Sequence, residues 1–370
     1  MLLSSLRNKN INFTAGKTVL YTDFDGTLLP ESLYSAYNKN DKQKKVAIRS
    51  LNRYFSEIRN FADNKKNSLE IVITTGRTLN KDNDEGFNTT YKKFIKDNVN
   101  LPRFKEIITS DGGEAFSFMQ DGKINPKAKQ SKINLIKKLT GWDFNLVTEA
   151  LDKASQKLQV SYEFIIKRGI YKFLLQISDK TKNKEFCDEF KKIINNSMQY
   201  GINICDFDYN KYSIKQGIQL YAMFNGHKID KSFDIKLALK KAIKNDDLII
   251  VAGNDSNDKE MLNLFNYIQN TSLKSVPKRA EDITLEYLKN IKSEIEALPI
   301  KILFIKPSKT ENNQSKLSLY EFIKKQAKFF PDKVMIIDET KLYGKNKLLP
   351  AIKKIITNYA KENPAFQKVL

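Results

Sequence analysis

Val19-Leu20-Tyr21-Thr22-Asp23-Phe24-Asp25-Gly26-Thr27-Leu28 is an apolar run that closes on two aspartates and a Gly turn. A short apolar run bounded by turn residues predicts a buried β-strand. Side chains two apart on a strand point the same way, so Asp23 and Asp25 stand together at its C-terminal edge. Two carboxylates this close resist joint ionisation unless a cation lies between them. The pair suits a Mg²⁺ site in which one carboxylate is free to attack and the other moves protons.

Working outward, strands alternate with helices. A helical pattern covers Val46–Phe61, with Val46, Leu51, Tyr54, Phe55 and Ile58 on one side. Leu69–Thr74 reads as a second buried strand ending at Thr75-Gly76-Arg77, and Lys105–Ser110 as a third ending at Asp111-Gly112-Gly113. The middle of the chain differs. Phe144–Leu158 reads as a helix, Tyr162–Lys167 and Tyr171–Ile177 as a hairpin about Arg168-Gly169, Lys184–Met198 as a helix, and Ile202–Phe207 and Ile218–Phe224 as strands. That is αββ twice over, an internal repeat of pattern. Asp234–Ile243 then reads as a helix, Asp247–Ala252 as a strand ending at Gly253, and Tyr267–Asn270 as a further strand. Beyond residue 296, Ile302–Ile305 and Val334–Ile337 read as strands, Leu317–Phe330 and Leu348–Tyr359 as helices, and Lys306–Lys316 as a polar linker.

These patterns predict an α/β protein. A Rossmann-like doubly wound parallel sheet occupies residues 1–121 and 227–295, interrupted by an inserted α+β domain at 122–226. A basic α/β extension follows at 296–370. In such a sheet the site lies at the C-terminal ends of the strands.

Composition narrows the chemistry. With two cysteines (Cys187, Cys205) and one histidine (His227) in 370 residues, neither a disulfide framework nor a Cys/His zinc cluster can be built. A Ser-His triad would have to use His227, which no nucleophile motif supports. Catalysis therefore falls to Asp, Lys, Thr and Arg. No run is apolar for the length of a membrane span, and Met1–Arg7 is too short in its apolar part for a secretory signal, so a cytoplasmic location is expected. The formal charge is +21. It reads either as a Lys-rich solvated surface or as attraction to phosphate, on a substrate, an acidic membrane or nucleic acid.

Asp23 and Asp25 after the first strand, Thr75 and Gly76 after the second, Lys231 before the Asp234 helix, and Gly253-Asn254-Asp255-Ser256-Asn257-Asp258 after the last core strand can all meet in one crevice. In order and spacing they resemble motifs I to IV of the haloacid dehalogenase (HAD) superfamily, over about residues 17–295. The αββαββ insertion resembles its C2-type cap, of the kind seen in sucrose-phosphate phosphatase and phosphomannomutase relatives. The resemblance implies a Mg²⁺-dependent phosphatase. Asp23 is then the nucleophile, forming an aspartyl-phosphate, and Asp25 the acid and base. Thr75, Gly76 and Lys231 bind the phosphoryl group. Asp23, Asp25, Asn254 and Asp258 hold the metal, with Asp255 and Asn257 as further ligand candidates. The family's usual Asp directly after the Gly of motif IV is here Asn254, a neutral ligand. Arg77 either lends its charge to the site or pairs with a neighbouring carboxylate.

The substrate is open at this level. The resemblance points to a phosphotyrosine protein, as for effector phosphatases of intracellular bacteria with this fold, which would place the chain in a host cytosol or at its membrane surface. The basic tail and the strongly positive charge tilt the reading that way, and the alternative is a sugar phosphate, as the sucrose-phosphatase-like pattern implies, or a phosphomutase. Tyr162, Phe164, Tyr171 and Phe173 offer either an aromatic wall for a phenyl phosphate or core packing for the cap. Residues 301–370 hold fifteen Lys against six Asp plus Glu. Leu348, Leu349, Ile352, Ile355, Ile356 and Tyr359 line one face of the last helix, for an anionic membrane, a partner or the core. No nucleic-acid motif is present. Asp206-Phe207-Asp208 reads as a polar strand end, and Cys187 as core packing on a cap helix.

Overall fold

The computed structural model describes residues 16–64, 69–79, 86–119, 122–194, 198–209, 212–268, 276–306, 314–340, 345–363 and 366. Among these run β1 (Thr18–Thr22), β2 (Leu69–Thr74), β3 (Glu106–Thr109), β4 (Glu114–Phe116), β5 (Tyr162–Arg168), β6 (Lys172–Ile177), β7 (Tyr200–Tyr209), β8 (Tyr212–Phe224), β9 (His227–Lys228), β10 (Leu248–Gly253), β11 (Ile300–Lys306) and β12 (Val334–Asp338).

The opening apolar run is β1, in the middle of a seven-stranded sheet ordered β12-β11-β10-β1-β2-β3-β4. All of its pairings are parallel except β3 with β4. Both faces are covered, which is why its strands read as continuous apolar runs and not as an alternation. Leu20, Ile71, Ile73, Ile107, Ile250 and Leu303 point into one core layer. Val19, Val72, Ile108, Ile249, Ile302 and Phe304 point into the other. On the first face lies the helix Asp41–Ala62, whose Asn40 side chain accepts from the Gln43 N–H at its start. Its buried stripe is Ala47, Leu51, Tyr54, Phe55 and Ile58, so Ala47 takes the place expected of Val46.

The insertion forms a second, antiparallel sheet ordered β5-β6-β8-β7, with β9 on β8. The helices Gln130–Thr140, Phe144–Leu158 and Asn183–Ile193 accompany it. Its core packs Trp142, Phe173, Phe186, Phe190 and the Cys187 thiol. Tyr171 and Phe173 are buried there, and Tyr162 and Phe164 pack against the same cluster. Core packing is the reading these four bear out, with Tyr171 and Phe173 buried and Tyr162 and Phe164 half-buried against the same cluster.

The extension after residue 296 adds to the sheet. Ile302 of β11 pairs with Val251 of β10, and Val334 of β12 with Ile302. In the helix Leu348–Glu362, Leu348, Leu349, Ile352, Ile355, Ile356 and Tyr359 are all buried in the first core layer. The apolar face offered to a membrane or partner is covered by the sheet itself. Leu264–Tyr267 forms a 3₁₀ turn where a strand was expected from Tyr267, with the Asn263 side chain accepting from the Phe265 N–H. Residues 269–270, most of the Lys306–Lys316 linker, and Met1–Arg7 lie outside the described residues. Among the described residues no helix is long and apolar enough to cross a membrane.

Candidate active site

The chain reverses directly after β1. Leu28 N–H donates to the Asp23 carbonyl (3.3 Å), Leu29 N–H to that of Phe24 (2.7 Å), and Gly26 N–H to that of Leu29 (2.8 Å). Phe24 points down into the core, ring centroid 4.9 Å from Phe87, while the aspartates on either side of it stay at the sheet edge. Gly26 has φ +73°, and a Cβ there would lie 2.1 Å from Asn254 Nδ2. Glycine is needed at this point for both its backbone angle and its lack of bulk. Thr22 pairs with Ala252 of β10 on one side and Ile73 of β2 on the other. The loops carrying Asp23, Thr75 and Asn254 thus leave the same edge of three adjacent strands.

Lys231 precedes the helix Ser232–Asn245, and its buried ammonium joins two of these loops. Nζ donates to Asp23 Oδ1 at 2.9 Å and to Asp258 Oδ1 at 2.6 Å. Burial alone would push Lys231 down, but Asp23, Asp258 and Asp111 outweigh it and hold its pKa up, so it is charged. Burial, with Asp258 beside it, holds the Asp23 carboxyl well above the usual range, against the pull of Lys231. Asp23 Oδ2 accepts no hydrogen bond among the described residues.

Asp25 is gripped by both oxygens. Arg77 Nη2 donates to Oδ1 and Nε to Oδ2, each at 2.9 Å, and Nη1 donates to Thr90 Oγ1 at 3.1 Å. Of the two roles open to Arg77, it takes the paired one. Burial still raises Asp25 above the usual carboxylate range, with Arg77 and Lys231 pulling it back. Thr75 is buried, its N–H donates to Ile108 O (2.8 Å), and its Oγ1 accepts from the Arg77 N–H (3.2 Å) across Gly76, leaving its hydroxyl proton to be given.

In the fourth loop Asp258 Oδ1 accepts from Lys231 (2.6 Å), and Oδ2 accepts the N–H groups of Asn254 (2.9 Å) and Asp255 (3.2 Å). It shapes the loop and seats Lys231. Asp255 turns outward to cap Ser256, accepting its N–H at 2.6 Å, and Asn257 is exposed. Asn254 is buried and faces the Asp23–Leu29 loop, its Oδ1 accepting from Thr27 Oγ1 at 3.0 Å. Thr27 was not singled out by sequence, although it stands in the same run. Two further residues escaped it, Asp111 and Lys172, which pair at 2.9 Å beside the site. The Asp111-Gly112-Gly113 strand end marked that turn, but nothing linked it to a lysine 61 residues on.

The donors suit a hard divalent cation. Three carboxylates (Asp23, Asp25, Asp258) face two cations (Lys231, Arg77) at this strand edge. Among the described residues no three acidic, His or Cys side chains converge on one point. A cation here would draw on Asp23, the Asp25 carbonyl and Asn254, with water completing its shell, as Mg²⁺ tolerates.

No family model matches the chain, and no curated protein does. Solved structures give distant likenesses. A haloacid dehalogenase-like hydrolase from Bacillus subtilis, yhjK, is 14% identical with TM-score 0.37, over 67% of this chain and 82% of that one. The IMP-nucleotidase of Plasmodium falciparum is 18% identical with TM-score 0.32, over 65% of this chain and 54% of that one. At such scores the functional reading stands on the site's own residues.

Proposed function

We propose that this chain is a HAD-type phosphatase that hydrolyses a phosphomonoester by way of an aspartyl-phosphate. The observation that carries the reading is the division of labour between two neighbouring aspartates. Asp23 shares a buried lysine, while Asp25 is held through both oxygens by a bidentate arginine. A nucleophile wants a fixed cation beside it; an acid/base wants a fixed direction towards the leaving oxygen.

In the first half, an Asp23 carboxylate oxygen bonds to phosphorus as the ester P–O bond breaks, and the leaving oxygen takes the proton of Asp25. In the second, Asp25 takes a proton from water, the water oxygen bonds to phosphorus, and the Asp23 O–P bond breaks. Inorganic phosphate leaves, and Asp23 and Asp25 return to their starting states. Lys231 and the Thr75 hydroxyl face the charge on the phosphoryl oxygens. Asp23, the Asp25 carbonyl and Asn254 would hold Mg²⁺, which would supply further neutralisation of that charge.

The cap aromatics weighed as a wall for a phenyl phosphate are spent on packing, while the basic extension and the +21 charge suit any phosphate and do not single out phosphotyrosine. Small phosphomonoesters, sugar phosphates among them, are the substrate class that remains favoured. The test is phosphate release from a panel of phosphosugars, phosphoamino acids and phosphopeptides, with and without Mg²⁺. Release from small esters that needs Mg²⁺ and is lost in Asp23→Asn is expected. Phosphate passing to a second sugar hydroxyl would mark a mutase, and rapid turnover of phosphotyrosine peptides alone would reverse the substrate assignment.

A further inference from the structure

We propose that Asp111 and Lys172 form a positioning pair that docks the cap over Lys231, so that the charge around that lysine depends on the cap being seated. The pairing stands on geometry alone; its effect on turnover rests on the phosphatase reading above.

Asp111 leaves the carboxyl end of β3 in an unusual turn. Ser110 (φ 56°) and Asp111 (φ 54°) are consecutive non-glycine residues in the left-handed region. Such a conformation persists where the surroundings dictate it, and it tends to occur at functional sites. Here the surroundings are motif III on one side and the cap on the other. Gly112 (φ +92°) runs so close to the Asp230 carbonyl oxygen that a Cβ would lie 2.2 Å from it. The turn therefore rests on the backbone that leads directly into Lys231. On the cap side, Tyr171 reaches Gly113 and the hairpin turn at Gly169 reaches the Glu114 side chain, which also accepts from Ser110 Oγ at 2.8 Å.

Between these contacts lies the ion pair. Lys172, the first residue of β6, donates through Nζ to Asp111 Oδ2 at 2.9 Å, with side chains only 19% and 12% exposed. An ion pair this far from water counts for more than a surface one, and leaving one partner behind is costly. Asp111 is also one of the three carboxylates that act on Lys231. With the cap seated, Lys172 absorbs much of the Asp111 charge and Lys231 is left to Asp23, Asp258 and the incoming phosphoryl group. With the cap lifted, Asp111 draws on Lys231 more strongly. One carboxylate thus reports the position of a domain to a lysine of the site.

The test compares the full-length wild type with Lys172→Met, Lys172→Arg, Asp111→Asn and the Asp111→Asn/Lys172→Met double variant. Amide hydrogen exchange is read at residues 110–114 and 168–172, and kcat and KM on a small phosphomonoester. Lys172→Met is expected to speed exchange at both segments about tenfold and to lower kcat about tenfold with KM within twofold. Lys172→Arg is expected to restore both, and the double variant to be no worse than either single one. Unchanged exchange in Lys172→Met, strictly additive effects in the double variant, or a change in KM alone would overturn the proposal. Exchange needs no turnover, so an inactive wild type would strike the phosphatase reading and leave the pair tested. Wild-type exchange in Lys172→Met with phosphate release intact would strike the pair and leave that reading standing.

Discussion

Asp25 owes its direction to one residue. Arg77 holds both carboxylate oxygens at 2.9 Å and is itself braced on Thr90. Arg77→Ala removes that clamp, and on the proposed mechanism a misplaced Asp25 costs on the order of 10²-fold in rate. The loss is expected in kcat on any small phosphomonoester, and Arg77→Lys should recover only part of it, because a point charge cannot replace a planar fork. At Gly26 the prediction is one of stability. An added Cβ would strike Asn254 at 2.1 Å in a left-handed backbone, so Gly26→Ala is expected to lower stability by roughly 1–3 kcal/mol in urea unfolding. The residues of this site were legible in the sequence to the extent that they sit in runs: Asp23, Asp25, Thr75 and Lys231 all meet at one edge. What Asp258 and Asn254 do was not, because the division of a carboxylate's oxygens between an ammonium and two backbone N–H groups depends on loop geometry, not spacing.

Among the elements, the join of β11 and β12 carries an unusual lysine. Lys333, just before β12, is 9% exposed, and its ammonium donates to the Leu298 carbonyl at 2.6 Å. Burial, with Lys301 nearby, brings its pKa down to about 8 from 10.5. The folded chain therefore holds fewer protons here than the unfolded one between about pH 8 and 10.5. The cost of burying the charge is complete below pH 8 and vanishes as pH rises through that window, at most about 3 kcal/mol. Lys333→Met should thus raise the melting temperature at pH 7, and its advantage over wild type should shrink towards pH 10. An advantage constant with pH would refute the burial argument. Strands β1, β2 and β10 were readable because a parallel strand covered on both faces is apolar throughout. The three-residue β4 and the turn before it carry no such period, and Ser110 and Asp111 take left-handed angles that their residue types do not announce. The helix Leu348–Glu362 shows the other limit. Its apolar stripe was plain, yet a stripe says that a face is covered without saying by what.

For the molecule as a whole, the extension is part of the same sheet as the site. β11 borders β10, the strand that leads into Asn254, and the last helix buries eight side chains in the layer shared with Leu20, Ile71 and Ile250. Truncation at residue 296 would expose β10 as a bare edge and strip one core layer of its cover. It is expected to give an aggregating chain without a cooperative thermal transition, where a separable module would leave a folded core. The cap is placed differently. Its hydrophobic cluster takes in Phe233 of the helix Ser232–Asn245, and it meets the core both through the turn at residues 110–114 and through the Lys132–Asp234 ion pair.

The central claim is that Asp23 carries the phosphoryl group. The direct measurement is rapid acid quench of the enzyme turning over a ³²P-labelled small phosphomonoester with Mg²⁺, followed by peptide mapping. The account predicts label on the peptide containing Asp23, lost in Asp23→Asn and accumulating in Asp25→Asn, where the leaving group is a good one and the water lacks its base. Phosphate released by wild type at full rate with no label on that peptide, or by Asp23→Asn at the wild-type rate, would contradict it.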